Sequence, residues 1–213
     1  MTVLAWSVLS LSAAGAAQGA QQPAATICRL ALQQEQVERD DLDLGLQLAL
    51  TQVQAAERIH TLVEGLWKKD AIQRIVYLRA KHDRETAVID HDRARLLLER
   101  QEAALEQYRL VCGAYSGDGT MSEPARRAAS EAFRRYRSAD CDVLAADERR
   151  AGADLSFFEE VLLSARDLRA SDVGTEQDVI LAERDVEMAR KRQEDTRARV
   201  TRCRTETSAT RPQ

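Results

Sequence analysis

The segment Leu168-Arg-Ala-Ser-Asp-Val-Gly-Thr-Glu-Gln-Asp-Val179 separates two long stretches of helical pattern. A helix is expected to end near Asp172, and Gly174 can adopt the positive φ that most residues avoid. Thr175 is a favourable N-cap for the next helix, and Asp178 three positions later forms a loose capping box with it. The segment therefore predicts the tip of a helical hairpin and is a candidate contact site.

The composition favours long helices over a compact globule. Of the 213 residues, 31% are charged and 4% are aromatic, and only three are proline, a balance that is typical of long helices and coiled coils. The formal net charge of -4 does not indicate the strongly positive surface that is typical of nucleic-acid-binding proteins. We therefore expect an all-α protein without a nucleic-acid partner.

Apolar residues recur at alternating spacings of three and four through both halves of the chain, which predicts a packing seam along each helix. Residues 113–124 contain three glycines and a proline and form the clearest linker. The predicted fold is two long antiparallel, coiled-coil-like helical hairpins, with a four-helix bundle as one arrangement of them. Hairpin 1 is expected over 21–112 and hairpin 2 over 125–203, followed by a disordered tail over 204–213.

Cys141 and Cys203 lie equally far from the predicted tip, because the midpoint between them is Asp172. Residues that are equidistant from the turn of an antiparallel hairpin face each other. The same pairing places Ala182 opposite Leu162, which matches a small residue with a large one. The spacing therefore predicts a disulfide between Cys141 and Cys203.

Cys28 and Cys112 are the second candidate pair, and their midpoint is Asp70, in a turn that the sequence marks less clearly. The seams are compatible with other turns, so a turn near residues 81–84 and one unbroken helix over 28–112 are alternatives. The unbroken helix would be roughly 125 Å long and would keep the two cysteines apart. An even number of cysteines in an exported chain favours disulfides.

Residues 1–20 have the pattern of a cleaved secretory signal peptide. No charged residue occurs before Arg29, and an apolar run is followed by small residues around 16–20. The expected localisation is periplasmic or otherwise exported, in the cell envelope. An uncleaved N-terminal anchor and a disordered tail are the alternatives, and contact with a membrane stays open.

Two segments resemble the helical region of the TolC-like outer-membrane efflux factors. Asp172-Val-Gly-Thr-Glu-Gln-Asp-Val179, followed by Ala182 and Ala189, is similar to that family's tip motif, and Glu102–Arg109 is similar to the end of its first hairpin. The resemblance implies two homologous hairpins that build a helical tunnel in a trimer, with tips that gate it and meet an adaptor protein. The alternating ten-residue segments with which those proteins cross the outer membrane do not occur in this sequence, so the resemblance is confined to the hairpins.

The sequence contains no pattern that is typical of an enzyme or a cofactor site. His60, His82 and His91 form neither an i, i+4 pair nor a His-Glu-x-x-His motif, and no phosphate-binding glycine loop or nucleophile elbow is present. We therefore predict no catalytic residue, no metal ligand and no cofactor. The basic cluster at 126–127 and 134–137 is diluted by carboxylates and is interpreted as a solvated helix face.

Sustained seams and a turn that bisects a cysteine pair predict a non-enzymatic, exported scaffold or interaction protein, such as an efflux or secretion tunnel component or an adaptor. Its partners would be proteins bound through helix faces or hairpin tips, including further copies of the chain. One alternative is a helical bundle that binds a small ligand or a metal through His60, His91 and nearby carboxylates. The other is a cytosolic coiled coil with free thiols.

Overall fold

The computed structural model confirms the all-α fold. The structure describes the backbone of residues 17–115 and 121–209 and the side chains of 26–113 and 121–209, so residues 1–16 of the predicted signal peptide lie outside the described part. Four long helices follow one another: α1 (Ala17–Trp67), α2 (Arg74–Tyr115), α3 (Glu123–Ala170) and α4 (Glu176–Ala209). The last helix thus extends six residues beyond Cys203, into the predicted tail.

The predicted seams hold α1 against α2 and α3 against α4. Seam residues on all four helices are buried or half-buried, with the exception of Arg84, which is exposed. Among the described residues no large side chain is fully buried, and half of the buried positions are alanines. The helices therefore pack closely over small residues, and little of the stability comes from large core side chains. The buried seam residues include Ala49, Ala80, Leu105, Ala151, Ala182, Val186, Ala189 and Val200.

The first hairpin turns at residues 68–73, around the midpoint between Cys28 and Cys112. Residues 81–84 lie within α2, so the alternative turn at that position is wrong. The alternative of one unbroken helix over 28–112 is also wrong, because α1 and α2 are separate antiparallel helices.

A third interface, between α2 and α3, joins the two hairpins, although the seams do not predict it. Ion pairs cross this interface along its length, and the paired residues lie about equally far from residue 120 on either side. Exposed ion pairs contribute little stability individually, but their order shows that α2 and α3 are antiparallel. They include Arg74–Asp167 (3.3 Å), Lys81–Glu160 (2.7 Å), Arg93–Asp147 (2.6 Å), Arg100–Asp140 (3.1 Å) and Arg135–Glu106.

The four helices form an open row in the order α1, α2, α3, α4. Within the described part of the chain each helix packs only against its neighbours in sequence, and α1 and α4 do not meet. The two outer helices therefore each have a side that no other helix covers. No helix in residues 17–115 and 121–209 combines the length and the apolar character that crossing a bilayer requires.

Candidate functional site: the paired hairpin tips

The second hairpin turns through a Schellman motif at the end of α3. Val173 N–H donates to the carbonyl oxygen of Leu168 (3.0 Å), and Asp172 N–H donates to that of Arg169 (3.1 Å), which together satisfy carbonyls that a helix end leaves open. The left-handed residue of the motif is Asp172, with φ 57°. Asp is one of the few non-glycine residues that tolerate this conformation.

Gly174 is not the residue with positive φ, so that part of the sequence prediction is wrong. Glycine is favoured there because of a close approach. A Cβ at this position would lie 3.1 Å from both Leu168 Cβ and Arg169 N, and Gly174 N–H also donates to the Leu168 carbonyl (3.0 Å). Any side chain would therefore push the turn away from the end of α3.

Thr175 and Asp178 form the predicted cap of α4. Thr175 Oγ1 donates to Asp178 Oδ2 (2.6 Å), Thr175 N–H donates to the same oxygen (2.9 Å), and Asp178 N–H donates to Thr175 Oγ1 (3.2 Å). The side-chain hydrogen bond from Thr175, followed by the backbone one, lowers the pKa of the Asp178 carboxyl below its usual value. The carboxylate is also well placed at the positive end of the helix dipole.

We expect the contribution of Asp178 to stability to disappear in acid. Because its pKa is lower in the folded chain than in the unfolded chain, the contribution is complete above the unfolded pKa and is lost as pH falls through the folded pKa. Asp178→Ala should therefore lower the urea midpoint at pH 7 but have little effect at about pH 2. Asp195→Ala, at an exposed position of the same helix, serves as the matched control. An equal loss at both pH values would contradict the capping role.

The first hairpin turns through the same motif. Ala71 N–H donates to Leu66 O (3.0 Å) and Asp70 N–H donates to Trp67 O (2.9 Å), and Asp70 has φ 53°. The Trp67 ring stacks on Tyr77, with centroids 5.7 Å apart and planes 13° apart, and so packs the end of α1 against the start of α2. Both hairpins thus end in a left-handed aspartate.

The two tips lie side by side at one end of the row of helices. The antiparallel register of α2 and α3 brings them together, and Arg74 Nη1 at the first tip lies 3.3 Å from Asp167 Oδ2 at the second. Arg169 spans the second turn, 3.7 Å from Asp172 and 3.5 Å from Glu176. The paired tips, defined as residues 66–76 and 167–178, therefore form one composite surface.

This composite surface presents both apolar and charged groups. Val173, at its outermost turn, is 76% exposed, and Leu66, Val76 and Leu168 are also exposed. The first tip carries Lys68 and Lys69, whereas the second carries the exposed carboxylates of Asp172 and Glu176. A surface that combines exposed apolar residues with charges of both signs is suited to binding a protein.

Both predicted disulfides are present, with Cα–Cα distances of 5.5 Å for Cys28–Cys112 and 5.6 Å for Cys141–Cys203. They cross-link the shafts of the hairpins well behind the tips, 42 and 31 residues from the respective turn aspartates. All four cysteines are paired, so the alternative of a coiled coil with free thiols is wrong. Paired cysteines are typical of proteins in oxidising compartments.

The histidines are not brought together. His60 lies beside Tyr77 (5.9 Å between ring centroids), and the register of the first hairpin places it about 16 Å along the helix axis from His91. His82 stacks on Phe157 (4.5 Å), with Nε2 3.3 Å from Asp154. Among the described residues no group of three or more His, Cys, Asp or Glu side chains is placed to hold a metal ion.

The end opposite the tips contains an open groove of about 1720 Å³. Gln101 lies in its wall and donates to Glu35 Oε2 (2.7 Å), while burial raises the pKa of Glu35. The basic cluster that the sequence analysis interpreted as a solvated face also borders this groove, and its arginines pair with carboxylates. The pairs are Arg126–Glu123 (3.8 Å), Arg127–Glu123 (3.6 Å), Arg134–Glu131 (2.7 Å), Arg135–Glu106 and Arg137–Glu206 (3.4 Å).

Comparisons with protein-family models, curated proteins and solved structures find no match to this chain. The resemblance of residues 172–179 to the tip of the efflux factors therefore stays a prediction that rests on the sequence. The described geometry characterises the tips independently of that resemblance, through their caps, their exposed groups and their position side by side.

Proposed function

We propose that this protein is a non-enzymatic scaffold or interaction protein of an exported compartment, and that it binds a partner protein through its paired hairpin tips. The observation that carries the proposal is that two separate turns, each closed by the same motif, lie next to each other at one end. The long cross-linked hairpins behind them hold this surface away from the rest of the chain.

The rigidity of the tips supports a binding role. The Schellman motifs and the Thr175–Asp178 cap fix the backbone, so binding would order little additional chain. The exposed Val173 would supply buried apolar area, and the charges around it would supply orientation and specificity. The resemblance to the efflux factors, in which tips meet an adaptor, favours a tunnel component or an adaptor as the specific role.

An exported location is part of the same proposal. The signal-like residues 1–20 and two disulfides both favour an oxidising compartment such as the periplasm. Fractionation of producing cells, with alkylation of any free thiols before lysis, tests this directly. We expect the protein in the exported fraction without alkylated cysteine, and a cytosolic protein with four alkylated thiols would contradict the proposal.

Site-specific photo-crosslinking tests the role of the tips. A benzophenone amino acid at Val173, the outermost apolar residue of the second tip, is expected to give a single protein adduct in producing cells. The same amino acid at Met188, which is exposed three turns along α4, is the matched control and should give none. Equal adducts at both positions, or no adduct at Val173, would contradict a partner site at the tips.

A further inference from the structure

Helix α1 carries apolar residues on two faces. Its inner seam packs against α2, whereas a second series faces away from every described helix. Five members of this outer stripe are between 57% and 70% exposed, although leucine and valine at regular helical spacing are typical of a buried face. The outer stripe of α1 consists of Leu30, Val37, Leu44, Leu48, Ala55 and Leu62.

The six residues of the outer stripe are symmetric about residue 46, whereas Ile59, which is exposed on the same face, would meet Gln33. Leu44 and Leu48 lie two positions from that centre, Val37 and Ala55 lie nine, and Leu30 and Leu62 lie sixteen. If two copies of α1 packed antiparallel around a two-fold axis at residue 46, each of these residues would meet the other member of its pair. Such self-complementarity is the requirement for an isologous dimer interface.

Two pairs of polar residues beside the stripe obey the same symmetry. Asp41 and Thr51 lie five positions from the centre, and Gln34 and Arg58 lie twelve, so each polar side chain would face a polar partner. A parallel pair in register would instead set Asp41 against Asp41 and Arg58 against Arg58. Like charges on a coiled-coil seam are unfavourable, so the charges select the antiparallel arrangement.

Two glycines of α1 give a second, independent indication. Gly45 lies in the helix interior, where glycine is the least favourable residue apart from proline, whereas Gly65 lies in the last turn of α1. A Cβ added at either position would meet no atom within 4 Å, so packing within the chain does not require glycine. In the antiparallel pair, however, Gly45 lies beside the two-fold axis and Gly65 lies opposite Ile27, where a second helix would approach.

We propose that two copies of this protein associate through their α1 helices, which form an antiparallel coiled coil centred on residue 46. The binding surface is the side of α1 that no described helix covers, at the edge of the helix row. The two-fold symmetry of the outer stripe matches a second copy of the same helix. The dimer directs the tip pairs of the two copies to opposite ends of the assembly. The proposal is independent of what the tips bind.

Light scattering combined with size-exclusion chromatography tests the association. The full chain is expected to be dimeric at micromolar concentration, and the double variant Leu44→Glu/Leu48→Glu to be monomeric, with dimerisation weakened at least about 100-fold by like charges at the axis. The matched control is Ile180→Glu/Met188→Glu at exposed apolar positions of α4, which should stay dimeric. Far-UV circular dichroism verifies that both variants remain folded.

Spin labels determine the orientation. All four natural cysteines are paired, so Leu30→Cys provides a single labelling site. Two labels at position 30 should lie about 48 Å apart in the antiparallel dimer, from the 32 residues between Leu30 and Leu62, and in contact in a parallel one.

Several outcomes would overturn the proposal. They are a monomeric wild-type chain, a dimer that persists in the Leu44→Glu/Leu48→Glu variant, and contact between labels at position 30. A monomer that sediments with phosphatidylglycerol vesicles through the same leucines would also overturn it, since lipid would then be the occupant. Loss of dimerisation with an unchanged Val173 adduct would separate this interface from the function proposed for the tips.

Discussion

Replacing Cys28 and Cys112 together by alanine is expected to lower the free energy of unfolding by on the order of 4 kcal/mol. The disulfide closes a loop of sequence separation 84, so its loss releases much conformational freedom in the unfolded chain. The seam that it supports contains many alanines, and no large side chain in the described residues is fully buried. The loss is therefore a large part of the 5–15 kcal/mol that is typical of folded domains. Urea denaturation monitored by circular dichroism measures it.

Cys141→Ala/Cys203→Ala provides the internal comparison, because its loop separation of 62 predicts a loss that is only a few tenths of a kcal/mol smaller. With all four cysteines replaced, the chain should have the same urea midpoint as the reduced wild type and should not respond to dithiothreitol. A loss below about 1 kcal/mol for either pair would mean that the unfolded chain is compact without its cross-link.

The hairpins could be predicted from sequence because helical geometry leaves few choices. Once a turn is placed at Asp172, the antiparallel register follows, and Cys141 and Cys203 can meet only if they are equidistant from it. The same argument locates the first turn at Asp70. There the sequence alone leaves a rival turn at 81–84 open, because moving the turn by half of any whole number of heptads preserves the apolar seam.

The local conformation of the tip could be predicted only in part. The cap formed by Thr175 and Asp178 depends on two side chains three positions apart, so its motif is visible in sequence. The left-handed residue is Asp172 rather than Gly174, because the Schellman motif places it two residues after the last helical residue, Ala170. Glycine is favoured at position 174 because a Cβ there would lie too close to Leu168. This close approach is visible only in the folded turn.

The pairing of the tips could not be predicted, because it depends on the interface between α2 and α3. That interface contains ion pairs along its length and the stack of His82 on Phe157, whereas a charged helix face is usually solvated. Its signal is present in the sequence, since Arg93 and Asp147 are equally far from residue 120. Many charged residues satisfy such a relation by chance, so only the three-dimensional arrangement identifies Arg74 and Asp167 as neighbours.

Ala146 provides the most direct test of this interface. Its exposed fraction is 0%, and it shares a helix face with Arg149 and Arg150, which pair with Asp92 and Asp90 on α2. Ala146→Asp would bury a carboxylate on a face whose two arginines, Arg149 and Arg150, are already paired with Asp92 and Asp90. We expect a loss of at least about 3 kcal/mol in the free energy of unfolding, because an unpaired buried charge is strongly destabilising.

Ala198→Asp, at an exposed position of α4, is the matched control. It makes the same chemical change in the interior of a helix and should cost no more than about 0.7 kcal/mol, which is the difference in helix propensity. Ala146→Leu separates volume from charge and should cost about 1–3 kcal/mol, because α2 and α3 would have to move apart. If all three variants unfolded at similar urea concentrations, α2 and α3 would not be in close contact, and the composite surface of the two tips would lose its structural basis.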